Sequence, residues 1–161
     1  MYKNLGFGLL EIVIAASIIS GTIFSLSYVF LISNKLAAAS SNKVRASFLA
    51  EEGLEALRVL RDTSWSANIA GLSAGTNYYL SFNTVTSAWS ISTSNPGYID
   101  NLFTSTITIE NVQRDANDDI VSSGGTNDPD TKKFNVSVSW LERASAMTVA
   151  VSTYLTDMFD N

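Results

Sequence analysis

The chain has 161 residues, with 15 acidic and 10 basic side chains, a net charge of −5, no cysteine and no histidine. Without histidine it lacks the commonest general base and a favoured transition-metal ligand, and without cysteine it has no disulfide framework. The acidic balance argues against nonspecific nucleic-acid binding.

The N-terminal quarter carries most of the information. Gly6-Phe7-Gly8-Leu9-Leu10-Glu11 opens an apolar run that lasts to Ser33. From Phe7 to Ser33 is about 27 residues, more than the roughly 20 that span a bilayer core. Glu11 is the one formal charge in that run. A carboxylate deep in lipid costs roughly 2.5–3.5 kcal/mol even on lenient insertion scales, so it marks a functional position that needs a partner. The run itself offers none, so the partner is expected from outside the chain. A secretory signal peptide does not fit, because its apolar region ends after ~7–15 residues.

These residues resemble the N-terminus of a type IV prepilin, the precursor of a pilus or pseudopilus subunit. The family pattern is a short leader ending in Gly, then Phe, then a glutamate at the fifth mature position, then a long apolar run. Gly8 stands where the family usually has Thr. The resemblance implies a leader over residues 1–6, with cleavage by a prepilin peptidase between Gly6 and Phe7 and N-methylation of Phe7. It further implies that Glu11 neutralises the new amine of a neighbouring subunit during assembly. The implied partners are homologous pilin subunits and the pilus assembly platform in the membrane. The implied location is the bacterial inner membrane as a single-pass precursor with its head outside, then a surface filament. Ser47-Phe48-Leu49-Ala50-Glu51-Glu52-Gly53-Leu54-Glu55 with Arg58 and Arg61 is similar to minor, PilV-like prepilins. Major pilin, minor pilin and pseudopilin share this N-terminus.

Beyond Asn34-Lys35 a helical pattern resumes. Ala46, Leu49, Ala50, Gly53, Leu57 and Leu60 recur at i, i+3, i+4 and i+7 and form one stripe. Proline is absent from Met1 to Asn95, so the pattern predicts one helix from Phe7 to Asp62, ~84 Å long at 1.5 Å per residue. Residues 7–33 form its membrane or filament-core part and 34–62 its amphipathic part. Gly21 is the expected weak point, since Gly destabilises a helix by about 1 kcal/mol relative to Ala.

Residues 63–161 read as a β-rich head. After a loop over 63–76, anchored by Trp65 and Leu72, Tyr78–Phe82 and Trp89–Thr93 read as a hairpin around 83–87. Alternation then predicts strands at Phe103–Glu110, Phe134–Leu141 and Met147–Leu155, antiparallel with one wet face. The expected fold class is α+β, a long helix packed on a sheet of four or five strands.

The acidic stretch from Asp115 to Asp130 is expected to be a solvated hairpin loop. Asp115, Asn117 and Asp119 have the alternate spacing of a calcium loop's first ligands. Ile120 stands where such a loop needs Gly, and Thr126 where it needs Glu, so this is no EF-hand, and calcium is the sole cofactor candidate. Lys132-Lys133 read as partners for the nearby acids or as contacts to DNA. Tyr78, Tyr79, Trp89 and Trp140 read as core or cross-strand pairs, or as a sugar platform. No nucleophile–base pair or phosphate loop is visible, so no enzyme activity is expected. The expected function is that of a structural filament subunit. The alternatives are a tip adhesin and a membrane-anchored domain unrelated to filaments.

Overall fold

The computed structural model describes residues 8–159. The chain divides into two compact units between Asn42 and Lys43, inside its first helix.

Helix α1 (Leu9–Thr63) runs through both units. In the first unit every described residue up to Ala38 is exposed. This part is apolar all round. Leu9, Ile14, Ile18, Phe24 and Leu26 point to different sides of the helix, and all are open. A helix without a polar face has no solvated side and needs cover on its whole circumference. Three of its hydroxyls bond back to the helix: Ser17 Oγ donates to the Val13 carbonyl at 2.8 Å, Thr22 Oγ1 to the Ile19 carbonyl at 2.8 Å and Ser25 Oγ to the Gly21 carbonyl at 2.9 Å. The helix is intact at Gly21, with no break at the expected weak point.

In the second unit α1 has a buried stripe of Ala46, Ala50, Gly53, Ala56, Leu57 and Leu60. Leu49 is only half-buried beside it. The stripe packs against Ile107, Ile109, Phe134, Val136 and Val138, all at or below 1 % exposure. At the helix end, Asn68 Nδ2 donates to the Leu60 carbonyl at 3.0 Å. The expected loop contains one helical turn, α2 (Trp65–Asn68), capped by Ser64 Oγ. Trp65 is buried and Leu72 packs on the core, so both anchor as expected.

Among the described residues six strands follow in two antiparallel sheets, where sequence periodicity predicts a single sheet of four or five. β1 (Tyr79–Asn83) pairs with β2 (Ala88–Ser92) alone. The larger sheet has the order β4-β3-β5-β6, built from β3 (Thr104–Arg114), β4 (Ile120–Val121), β5 (Thr126–Glu142) and β6 (Ser145–Thr156). The hairpin over 78–93 stays separate because only Tyr78, at an isolated bridge to Ile107, reaches β3 in register. Strict alternation sets the faces of the large sheet. Phe134, Val136, Val138 and Trp140 are buried, while Asn135, Ser137 and Ser139 are on the other face.

Candidate functional site

Gly6 and Phe7 lie outside the described residues. Glu11 stands in the first turn of α1, where the helix dipole favours a carboxylate. It borders a shallow apolar hollow with Ile12, Ala15, Ala16 and Ile19. Among the described residues it forms no ion pair. The arrangement is an unpaired negative charge near the end of an exposed apolar helix, with small alanines beside it where another chain can approach closely.

The acidic stretch is more ordered than a solvated loop. Asp115 Oδ1 accepts the backbone N–H of Asn117 at 2.8 Å and of Asp119 at 3.0 Å, which closes a tight turn. β4 then returns along β3, and β5 begins at Thr126. Asp115, Asn117 and Asp119 therefore share one turn, but the Asp115 carboxylate is turned onto its own backbone. Among the described residues no three His, Cys, Asp or Glu side chains gather as a cation cage.

The acids instead serve an arginine. Arg114 Nε donates to Asp128 Oδ2 at 2.6 Å, its Nη1 to the Asp118 carbonyl at 2.8 Å, and its Nη2 to Thr131 Oγ1 at 3.3 Å. Burial works against the charge on Asp128. The hydrogen bond from Arg114, with those from Thr131 and the Asp130 N–H, overrides it and holds the carboxyl below its usual range.

Lys132 and Lys133 part company. Lys133 Nζ reaches Glu110 at 3.1 Å on the outer face, and this bond raises its pKa. Lys132, read from the sequence as a surface group, is 8 % exposed. Its Nζ donates to the carbonyls of Ile69 (3.1 Å), Ala70 (2.7 Å) and Leu72 (2.6 Å). Burial pushes its pKa down, while the three carbonyls take all three N–H bonds of the ammonium. It is not open to acids or DNA. The β5 alternation carries this signal, because Lys132 has the inward parity of Phe134 and Val136.

The aromatic residues do not form one platform. Tyr78 and Trp140 are buried in the core, and Trp140 stacks edge-on with Phe103 at 5.8 Å. Trp89 and Phe82 form a separate cross-strand pair with centroids 5.1 Å apart. That pair lines a slot of about 360 Å³ between α1 and the β1–β2 hairpin, with Leu49, Gly53 and Leu80 at its base and Glu52 on its wall. Nothing in the sequence pairs Glu52 with Trp89, because the hairpin's placement comes from tertiary packing.

Comparison with protein-family profiles, with curated proteins and with solved structures found no match.

Proposed function

We propose that this chain is a subunit of a type IV pilus or pilus-like filament, made as a single-pass inner-membrane precursor, cut after Gly6, methylated on Phe7 and polymerised through α1. The observation that carries the reading is the conjunction of the prepilin-like Gly6-Phe7 and Glu11 pattern with a helix apolar and exposed on every side from Leu9 to Ala38. Such a helix is long and apolar enough to cross a membrane. The same surface suits a filament core, where neighbouring helices replace lipid.

Glu11 supplies the electrostatics of assembly. In lipid its charge is uncompensated, which is costly. Beside the amine of a neighbour's Phe7 it is paired, and breaking such a buried pair costs about 3–5 kcal/mol. Polymerisation is thereby favoured once the leader is gone. No step of bond-making chemistry falls to its residues.

The test is Glu11→Ala in the full chain. The variant is expected to insert and be cleaved as before but to be missing from sheared filaments. Normal incorporation would contradict the pairing role.

A further inference from the structure

We infer that the slot between α1 and the β1–β2 hairpin receives Arg143, at the tip of the β5–β6 hairpin, from a second copy of this chain. The inference rests on the filament reading, which brings copies together.

The slot has the chemistry of a cation receptor. An aromatic face attracts a guanidinium within about 6 Å, by roughly 0.5–1 kcal/mol when exposed and more when desolvated, and Trp89 and Phe82 supply that face. Leu49 and Leu80 offer apolar contact to an aliphatic stem. Glu52 adds a carboxylate that forms no ion pair among the described residues, whereas Glu55, one turn on, is taken by Arg58. The volume of about 360 Å³ holds one long side chain and its neighbours.

Charge complementarity selects the occupant. Among the described residues, Lys35, Lys43 and Arg143 are the basic side chains without an ion pair or a carbonyl cradle. The two lysines stand on the flank of α1. Arg143 stands at the apex of a two-residue turn closed by the Glu142–Ser145 pair. Arg143 and Ala144 have φ of 50° and 66°, a conformation usually given to Gly or Asn, so the tip keeps a strained backbone that fixes its projection. Leu141, 66 % exposed beside it, adds apolar surface to match the slot.

The chain has no cysteine, so introduced thiols report on one contact only. Ser81 lines the slot and Ser145 lies two residues from Arg143 at the foot of the same turn, so both charges stay in place. Full-length chains with Ser81→Cys and Ser145→Cys, carrying different tags, are co-expressed and oxidised gently in membranes and sheared filaments. A mixed-tag disulfide dimer is expected. It should be lost when Arg143→Glu joins the Ser145→Cys chain, and regained when Glu52→Lys is added to the other. Filaments that contain both chains but no mixed dimer, or a dimer indifferent to Arg143→Glu, would overturn the contact and leave the filament reading standing. Absence of the chain from filaments would sink that reading and this contact with it.

Discussion

One buried charge, Lys132, and one half-buried charge, Asp128, illustrate how single residues hold this head together. Lys132 reaches across from β5 to three carbonyls of the segment that follows α2. Without a disulfide, it is a polar tie between that segment and the sheet. Lys132→Met keeps most of the volume but leaves the carbonyls unpaired, so the head should lose about 1–3 kcal/mol. Amide exchange at residues 69–72 should also accelerate, and unchanged exchange there would refute the tie. Asp128 gives the pH dependence. Its folded pKa is lowered, so the unfolded chain takes up the proton first as pH falls. Its stabilisation is complete above the ordinary carboxylate value of about 4 and is lost as pH drops through the folded value. The acid limb of the melting profile should flatten in Asp128→Asn, and an unchanged limb would assign it to other carboxylates. Lys132 was readable from the parity of β5. The Arg114–Asp128 pair was not, because the register shifts between Asn111 and Val112, where β5 skips from Lys132 to Asp128 past Pro129.

Among the elements, the clearest in the sequence were those with long unbroken periods. A stripe at helical spacing and the absence of proline predicted α1 to within two residues at its start and one at its end. Alternation predicted β3, β5 and β6, though all three run longer than the alternating core, because hairpin pairing extends them into polar sequence. β4 is two residues long and has no period to detect. The division into two sheets was invisible because alternation says which face a residue takes, not which strand lies beside it. Gly53 shows why the helix and sheet meet where they do. A Cβ there would come within 2.8 Å of Val136 Cγ1. Helix propensity favours Gly53→Ala by about 1 kcal/mol, but overpacking of this kind costs about 1–3 kcal/mol. The substitution should therefore lower the melting temperature, and adding Val136→Ala should recover part of the loss. A Gly53→Ala protein as stable as the parent would mean that the seam has slack.

For the whole molecule, the two units pose opposite problems. Residues 43–161 bury their own core, from Ala46 on the helix to Leu155 on the last strand. The helix from Leu9 to Ala38 is exposed at every residue, a surface that suits lipid or other copies. That contrast was legible from composition alone. The proposed assembly site rests on the pattern at Gly6, Phe7 and Glu11 alone, because assembly chemistry shared between chains would leave no intramolecular geometry to read. The central claim is that the chain begins its working life at Phe7. The direct test is the mass of the N-terminal peptide from membranes of cells with and without a prepilin peptidase. The account predicts a peptide starting at Phe7 and heavier by one methyl group where the peptidase is present, and Met1 retained where it is absent. An N-terminus at Met1 in both would contradict it and leave α1 as a membrane anchor.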